Sequence, residues 1–398
     1  MTNNRGRVSR RRLLAGGTAL AAGLAGCLSS DDSATDTPAS ATPRGDGSGE
    51  TVATSPAAGL DLPVDDSDLR RETGEDAIPA IVDPAFGSDW SGLDITFRGR
   101  FGGRQTIEPR LDPGDQVIGI SRGDAARAYP FRILNWHEIV NDTFGGPLLV
   151  TYCPLCRSAL TTERRVDGET TVFGVSGLLY REALVMYDEA TESLWSQLAA
   201  RAIQGPMTGS SLDLTRATIT TWGSWQEQHS DTEVLLPPPE SSTVAGEEKT
   251  RDYSRNPYTR YQESASAGLG GLFDDDRLDP KAEVVGIANN NVSRAYSAGT
   301  VAEAGVIADS VGGLPVVVTT TPDGTPVAWV REVGDETLSF EAADERHLTA
   351  GGSRWTRTTG RAVDGPYEGT RLTQANAVSS LFWFAWLDIH PDTELYGN

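Results

Sequence analysis

Short apolar runs separated by turn residues are the main pattern of the chain beyond residue 110. The runs at 147–152, 170–175, 314–320 and 327–333 are rich in β-branched and aromatic residues. Glycine, proline and aspartate stand between them, as at 321–324, where the sequence is Thr-Pro-Asp-Gly. Runs of this length and composition, bounded by such residues, are typical of β-strands joined as hairpins.

Few stretches have the pattern of a helix. Segments 131–140 and 374–387 are the better candidates, and the second carries apolar or aromatic residues on most sides, which indicates a buried helix. The sequence therefore predicts a mainly β fold with a few helices, of the α+β class.

An internal repeat divides this β-rich region. Residues 117–173 match residues 284–340 without a gap at a constant offset of 167 (286 − 119 for a pair of glycines), and shorter matches follow. The matched pairs include Gly119 and Gly286, Tyr129 and Tyr296, Gly145 and Gly312, Phe173 and Phe340, Trp195 and Trp355, and His229 and His390. A repeat of this kind predicts two tandem copies of one unit. We expect the copies at 111–235 and 279–398, packed as a pseudo-symmetric pair, with a polar linker or insertion at 236–278.

The N-terminal residues have the pattern of an export signal. Ser-Arg-Arg-Arg-Leu-Leu at 9–14 is a twin-arginine pattern, and the apolar run after it ends at residue 25. That run is shorter than the about 20 apolar residues of a transmembrane helix and is typical of a targeting peptide. Cys27 follows Leu-Ala-Gly, as in a lipobox. We expect 1–27 to be a signal peptide, and lipidated Cys27 to anchor the exported protein to lipid at the outer face of the cytoplasmic membrane.

The residues after Cys27 are small or polar. Segment 28–60 consists mainly of Ser, Thr, Asp, Ala, Pro and Gly, with almost no large apolar side chains. Such a segment cannot bury enough surface to offset the loss of conformational entropy on folding. It is predicted to be a disordered tether, and 61–110 to be an N-terminal lead-in to the repeats.

The charge of the chain restricts its partners. Asp and Glu number 56 against 34 Lys and Arg, which gives a formal net charge of −22 and a sequence pI of about 4.6. Because nucleic acid binding needs a basic surface, this composition argues against it. An acidic surface with little lysine is typical of proteins from salt-loving organisms, where salt screens the repulsion between charges.

The candidate chemistry lies in Cys153-Pro154-Leu155-Cys156, which holds the only cysteines after Cys27. A structural disulfide is the ordinary alternative outside the cytoplasm, but so short a loop gains little from closure. Close C-x-x-C pairs are often redox-active or bound to metal. At the offset of 167, Pro154-Leu155-Cys156-Arg157 falls on the turn sequence 321–324. We therefore expect it at the tip of a β-hairpin, a geometry in which two thiolates commonly hold a metal.

Comparing equivalent positions in the two copies separates residues of the scaffold from residues of the candidate site. At the same offset, Cys153 corresponds to Thr320, Cys156 to Asp323 and His137 to Ala304. Because the two cysteines and the histidine are absent together from the second copy, we expect them to form one metal or redox site. His229 and Trp195 have counterparts and are interpreted first as structural residues. Thiolates with imidazole and carboxylate would favour zinc, and thiolates with a thioether would favour copper. Additional candidates are Met186, Glu138, Arg157, Ser176, Trp195 and Gln197, with core packing or turn capping as the alternative roles.

Four segments resemble those of a known family. They are Asn-Trp-His-Glu-Ile-Val-Asn-Asp at 135–142, Val-Thr-Tyr-Cys-Pro-Leu-Cys at 150–156, Phe-Gly-Val-Ser-Gly-Leu-Leu-Tyr at 173–180 and Ser-Leu-Trp-Ser-Gln at 193–197. They resemble the signature stretches of domain-of-unknown-function family 3179, over residues 100–395. The family occurs in exported proteins of archaea and bacteria, and the acidic twin-arginine lipoprotein form resembles haloarchaeal members. The resemblance implies no activity, substrate or cofactor.

Three functions remain open at this point. The first is a metal-binding or metallo-redox protein that uses Cys153, Cys156 and His137. The second is a thiol–disulfide protein with an unknown redox partner, and the third is a module that binds a small molecule or protein and has a structural disulfide. A hydrolase is not favoured, because no Ser/His/Asp arrangement or Gly-x-Ser-x-Gly motif stands out.

Overall fold

Strands make up most of the regular structure of the chain. The computed structural model describes residues 52–54, 60–99, 101–244, 249–269 and 273–397. The predicted signal peptide, Cys27 and nearly all of the predicted tether lie outside these residues. Within the described ranges, no helix is long and apolar enough to cross a membrane.

Three five-stranded sheets come from the first half of the chain, and we number them 1 to 3. In spatial order, sheet 1 contains Thr218–Thr221, Gln116–Arg122, Ala125–Pro130, Glu233–Leu235 and Phe86–Gly87. Sheet 2 contains Ser158–Glu163, Pro147–Cys153, Ile139–Thr143, Ile81–Asp83 and Ser242–Thr243. Sheet 3 contains Leu69–Arg71, Phe173–Tyr180, Ala183–Asp188, Leu194–Ser196 and Arg201–Gln204.

Three smaller sheets, numbered 4 to 6, come from the second half. Sheet 4 contains Leu381–Phe382, Glu283–Asn289, Val292–Ser297 and Glu394–Leu395. Sheet 5 contains Val306–Val311, Leu314–Thr320 and Pro326–Val330, and sheet 6 contains Glu341–Ala342, His347–Ala350 and Ser353–Thr356. The remaining two-stranded hairpins pair Ile95–Arg98 with Arg104–Ile107, Arg165–Val166 with Glu169–Thr170, and Glu332–Val333 with Glu336–Thr337.

The helices are few and short, as predicted, but their positions differ from the sequence-based expectation. The described α-helices are Phe131–His137, Trp222–Gln228, Thr259–Gln262, Ala298–Ala304 and Trp383–Ile389. The helix expected at 131–140 ends three residues early, because the chain enters sheet 2 at Ile139. The helix expected at 374–387 was wrong up to residue 382. There Asn376 accepts from the amide of Ala328 and donates to Val378, which holds the backbone in an irregular course.

The six larger sheets form a propeller-like arrangement, in which sheet 1 takes strands from both sides of sheets 2 and 3 in sequence, and sheet 4 from both sides of sheets 5 and 6. The mainly β prediction is confirmed. The expected pair of tandem units is corrected, because residues 45–398 form one compact unit and each half of the chain contributes three of its sheets.

The strand registers of sheets 1 and 4 correspond residue by residue, whereas those of sheets 2 and 5 differ by one residue. In sheet 1 Gly119 lies opposite Ala128, and in sheet 4 Gly286 lies opposite Ala295. Each glycine lies under a tryptophan ring, and a Cβ at either position would overlap that ring. Those rings belong to Trp225 and Trp386, whose indole N–H groups donate to Thr232 and Thr393, both at 2.9 Å.

The paired histidines are part of this scaffold. His229 lies against the ring of Trp225 with ring centroids 4.1 Å apart, and His390 lies against Trp386 at 4.0 Å. The carbonyls of the two histidines accept from the amides of Thr232 and Thr393. The prediction that both histidines are structural is confirmed by this shared geometry.

Candidate functional site

The Cys-Pro-Leu-Cys motif lies at the tip of a hairpin of sheet 2. Strands Pro147–Cys153 and Ser158–Glu163 pair antiparallel with Cys153 opposite Ser158, which confirms the predicted knuckle. Arg157 closes the turn with φ of 55°, and Gly324 holds the corresponding position of the other half with φ of 86°. Both hairpins therefore have a left-handed residue at this position, but their registers differ by one residue, with Cys153 opposite Ser158 and Thr320 opposite Pro326, and only the first carries thiols.

The two thiols lie against each other inside the protein. Cys153 Sγ is 3.1 Å from Cys156 Sγ, and both cysteines are free thiols. Cys153 is 2% exposed and Cys156 is fully buried. Cys156 Sγ also lies 3.5 Å from the carbonyl oxygen of Glu182, in the turn between two strands of sheet 3. The pair therefore lies between the hairpin tip of sheet 2 and a turn of sheet 3.

The two thiols have unequal acidity. Burial opposes ionisation of Cys153, but hydrogen bonds from the Cys156 thiol and from the amides of Cys156, Leu184 and Leu155 stabilise its thiolate and lower its pKa. Burial, the hydrogen bond to Cys153, and the negative charges of Cys153, Asp388 and Glu182 raise the pKa of Cys156 well above its ordinary value. Of the two thiols, Cys153 therefore loses its proton more readily.

Glu138 occupies an unusual backbone position beside this pair. It follows helix Phe131–His137 with φ of 57° and ψ of −31°. The residue in the corresponding place after helix Ala298–Ala304 is Gly305, with φ of 70° and ψ of −48°. Such a conformation favours glycine and is strained for a glutamate. The two copies already differ in sequence here, with Glu138 in one and Gly305 in the other. This difference can be interpreted only once the backbone angle is known.

The carboxyl group of Glu138 is buried and coupled to the cysteine. Glu138 is 6% exposed, and its carboxyl accepts a hydrogen bond of 3.2 Å from the hydroxyl of Tyr258. Burial, together with the negative charge of Cys153, raises the pKa of Glu138 to about 8, although the Tyr258 hydrogen bond lowers it. Glu138 is therefore mostly a neutral acid at neutral pH.

His137 has both ring nitrogens engaged elsewhere. Its Nδ1–H donates to the carbonyl of Pro79 at 2.7 Å, and Nε2 accepts from the hydroxyl of Tyr253 at 2.8 Å. Burial, together with the charge of Arg251, lowers the pKa of His137 to about 4, although the hydrogen bond to Pro79 raises it. In the part of the chain that the structure describes, no three His, Cys, Asp or Glu side chains are grouped to hold a metal ion. The structure thus does not bring His137 together with the two cysteines as a ligand set.

Three tyrosines of the segment between the repeats cover the site, and sequence reasoning missed them. Besides the contacts of Tyr253 and Tyr258, the Tyr261 hydroxyl donates to the carbonyl of Leu155 inside the motif, at 2.8 Å. The amide of Gly268 donates to the same hydroxyl. The segment 236–278 is therefore more than a linker, because it closes the hairpin tip. The sequence feature that could have indicated this role is the presence of tyrosines in an otherwise polar stretch.

The other candidate residues support the frame around the thiols. Gln197 is fully buried and bridges the two strands of the hairpin, since its amide donates to Thr151 Oγ1 and its carbonyl accepts from Ser158 Oγ. Arg157 donates to Gln116 and lies 3.3 Å from a carboxylate oxygen of Glu283.

Three further candidates belong to sheet 3. Ser176 donates to the Val185 carbonyl at a β-bulge, and Trp195 donates to Asp188. Met186 is fully buried in the same apolar cluster as both cysteines. These contacts satisfy each polar group within the sheet, so the structure gives the three residues a packing role.

An open surface cavity of about 320 Å³ lies on the sheet 3 side of Cys156. Its lining consists of Asp68, Arg70, Leu179, Tyr180, Arg181 and Glu182. Glu182 contributes to this lining, and its carbonyl faces the Cys156 sulfur. The turn at Arg181 and Glu182, with φ of 49° and 60°, therefore separates the cavity from the thiols.

Residues 75–393 match the family described as Protein of unknown function (DUF3179). The chain therefore belongs to this family. No curated protein matches the chain. No solved structure matches it either.

Proposed function

We propose that this DUF3179 protein is a thiol–disulfide redox protein in which Cys153 is the attacking thiolate and Cys156 the resolving thiol. The observation that carries the proposal is the contact of 3.1 Å between two buried free thiols whose pKa values are shifted in opposite directions. The thiolate is the nucleophile in disulfide exchange, so a pair that keeps one sulfur ionised and the other protonated is prepared for two sequential attacks.

The reaction would transfer two electrons to an external disulfide. Cys153 thiolate attacks one sulfur of that disulfide, forms a mixed disulfide and releases the first external thiolate. Cys156 then loses its proton and attacks the Cys153 sulfur, which releases the second external thiolate and leaves a Cys153–Cys156 disulfide. Two protein thiols are oxidised, and one external disulfide is reduced to two thiols.

Access would come from the side of Cys156 that faces the surface cavity. The cavity is separated from the sulfurs by the short turn at Arg181 and Glu182, whose positive φ angles are rarely adopted by residues other than glycine. A small movement of this turn would expose the pair to a disulfide bound in the cavity. The partner is then a small disulfide or an extended peptide loop.

A zinc or copper ion held by Cys153, Cys156 and His137 is the alternative. It would require His137 Nε2 or Nδ1 to give up the hydrogen bond to Tyr253 or Pro79. The geometry favours thiol exchange over this alternative. The metal content of the purified protein should nevertheless be measured, because two thiolates supply half of the ligands of a tetrahedral metal site.

Replacing Cys153 by serine is expected to lower the rate of exchange with an aromatic disulfide by about 100-fold or more, since the rate depends on the thiolate fraction. Replacing Cys156 by serine is expected to leave the first attack intact and to trap the mixed disulfide. The rate of release of the aromatic thiolate measures the first effect, and mass spectrometry of the intact protein measures the second.

If Cys153→Ser and Cys156→Ser lowered the rate of thiolate release equally, the assignment of Cys153 as attacking and Cys156 as resolving thiol would be contradicted. A stoichiometric metal that is lost in both serine variants would replace the proposal with metal binding. A Cys153–Cys156 reduction potential below about −300 mV would instead identify a structural disulfide.

We also propose that the folded part works outside the cytoplasm, held to membrane lipid by Cys27, in the form typical of haloarchaeal lipoproteins. The order of twin arginine, apolar run and lipobox supports this. Replacing Cys27 by serine is expected to shift most of the protein from the membrane fraction to the soluble exported fraction. Replacing both Arg10 and Arg11 by lysine is expected to retain it in the cytoplasm. Fractionation followed by immunoblotting measures both, and membrane association of Cys27→Ser would contradict the anchor.

We further propose that the six sheets derive from duplication of one three-sheet unit, related in the folded protein as a pseudo-symmetric pair. The equal registers of sheets 1 and 4 and the matched glycine–tryptophan contacts support this. On this interpretation the second copy kept the scaffold, and the first holds the thiol chemistry.

A further inference from the structure

We propose that the two-stranded hairpin of Ile95–Arg98 and Arg104–Ile107 is a membrane contact, which inserts Phe101 among anionic lipid headgroups and binds their phosphates through its arginines. We call this element the basic hairpin. The inference goes beyond the thiol chemistry and does not depend on it. It draws on the proposed Cys27 anchor only because that anchor would place lipid near the folded part.

The first observation is the exposure of Phe101. Its side chain is 99% exposed, whereas the next most exposed large apolar residues of the described chain, Leu269 and Val363, are 49% and 39% exposed. Single exposed apolar residues are ordinary on protein surfaces. A phenylalanine entirely in water, however, forgoes the burial from which its side chain gains most. Another surface that approaches the hairpin tip would supply that burial.

The second observation is the attachment of the basic hairpin. Ile95 is 1% exposed and belongs to the same apolar cluster as Trp90, and the hydroxyl of Thr250 donates to the carbonyl of Thr96 at 2.8 Å. Beyond this base, every residue at 101–106 is exposed. In the described chain the two strands pair with each other and with none of the six larger sheets. The base is therefore fixed, and the tip is presented to the surroundings.

The third observation is the charge of the tip. Its sequence is Arg-Gly-Arg-Phe-Gly-Gly-Arg at 98–104, with three arginines and no acidic residue, in a chain of net charge −22. Arg98 lies directly opposite Arg104 in the strand pairing, and like charges in such positions destabilise a hairpin. Among the residues that the structure describes, neither side chain has an ion-pair or hydrogen-bond partner. An anionic surface would supply the missing counter-charge.

Protection of strand edges is the ordinary role of charges on an exposed hairpin. It accounts for Arg98 and Arg104, although either sign of charge would serve it and the chain as a whole is acidic. It does not account for Phe101, because an exposed aromatic ring favours association rather than preventing it. An aromatic ring flanked by cations is instead the combination that binds at the boundary between headgroups and acyl chains of anionic membranes.

The small size of the tip favours lipid over a protein partner. One ring and two described cations offer far less area than the about 800 Å² that each partner buries in a stable protein interface. A membrane needs no complementary shape, and each cation near its surface strengthens binding by about 5-fold. The contact is therefore weak and reversible. It orients the anchored protein on the membrane but does not retain a protein without the lipid, which agrees with the expected release of Cys27→Ser.

The test uses the Cys27→Ser protein, which cannot carry the proposed lipid, and vesicles of phosphatidylglycerol mixed with phosphatidylcholine. Flotation of the vesicles measures the bound fraction as the lipid concentration increases. We expect Phe101→Ala to weaken binding by about 10-fold, because apolar burial at the interface is lost. Arg98→Gln combined with Arg104→Gln is expected to weaken it by about 25-fold and to reduce its dependence on salt. Vesicles of phosphatidylcholine alone should bind more weakly than the mixture.

Arg165→Gln and Val363→Ala are the matched controls. The first removes an exposed arginine from another two-stranded hairpin, and the second shortens another exposed apolar side chain. Both controls should bind the mixed vesicles as tightly as the parent does, and urea denaturation should show that every variant stays folded. Weaker binding in the variants of the basic hairpin, but not in the controls, supports the proposal.

Equal binding of the parent and the variants of the basic hairpin, or no binding of the parent to the mixed vesicles, would overturn the proposal. Binding of the parent to polyglutamate instead of vesicles, lost in the same variants, would assign the hairpin to an acidic protein surface. The rate of thiol exchange is expected to be unchanged in all these variants, so the membrane contact and the thiol–disulfide function can fail separately.

Discussion

Replacing Asp142 by alanine is expected to lower the free energy of unfolding by about 3–5 kcal/mol, the range found when one partner of a buried ion pair is removed. Arg127 donates to both carboxylate oxygens of Asp142, at 3.0 and 2.9 Å, and Tyr129 donates to one of them at 2.6 Å. The Asp142 side chain is only 4% exposed. Its removal would leave the buried Tyr129 hydroxyl without its acceptor and Arg127 with the exposed Glu233 as its remaining carboxylate partner, within the strand that leads to the thiol hairpin. Chemical denaturation measures the effect.

The second half of the chain supplies the matched control. Asp309 accepts from Arg294 and Tyr296 in the same geometry, both at 2.7 Å, but its side chain is 18% exposed. Because water can replace part of what is lost, Asp309→Ala is expected to cost only about 1–3 kcal/mol, as for hydrogen bonds to charged groups. An equal or larger loss for Asp309→Ala would show that burial does not decide the energetics of this network.

The repeat is what made the fold partly predictable from the sequence. A constant offset carried the turn Thr321–Gly324 onto Pro154–Arg157 and so predicted a hairpin tip, which the pairing of Cys153 with Ser158 confirms. The repeat also identified His229 and His390 as scaffold. These inferences succeeded because similar local sequences in equivalent places form the same kind of strand and turn, although the registers of the two hairpins differ by one residue. How six sheets assemble depends on contacts between distant segments, which a local pattern does not record.

The candidate site was predictable only in its thiols. The tyrosines that close it come from a segment about 100 residues farther along the chain, with no counterpart in the other half. The expected third partner, His137, is instead satisfied by Pro79 and Tyr253. The neighbouring Glu138 is instead the residue whose pKa the charge of Cys153 raises. Hydrogen-bond partners and backbone angle distinguish these two adjacent buried side chains, and neither can be obtained from residue spacing.

The stability of the protein is expected to fall by about 2 kcal/mol as the pH rises from 6.5 to 8, because of Glu138. Burial and the charge of Cys153 raise the pKa of Glu138 from an ordinary 4.5 to about 8. Between those values the folded state holds a proton that the unfolded state has lost, so stability decreases as the pH increases. One pKa unit corresponds to about 1.4 kcal/mol, which gives the stated loss over this window.

His137 acts in the opposite direction at lower pH. Burial lowers its pKa from 6.5 to about 4, so the unfolded state binds the extra proton between those values and stability decreases as the pH falls. From pH 4.5 to 6.5 the slopes of His137 and Glu138 oppose each other. Burial also raises the pKa of Asp388 to about 7, so Asp388 adds to the loss of stability above pH 6.5. The contribution of Glu138 is therefore the part of the loss that disappears when its carboxyl group is removed.

Glu138→Gly and Glu138→Ala separate this charge effect from the backbone strain. Both variants remove the carboxyl and the bond to Tyr258, so both should show no loss of stability between pH 6.5 and 8 from this position. Because φ is 57°, glycine is expected to be more stable than alanine here by about 1–2 kcal/mol, the reverse of the usual order. Urea denaturation at both pH values measures the two effects. If alanine equals glycine, the strain argument fails, and if the slope persists in both variants, another group carries the titration.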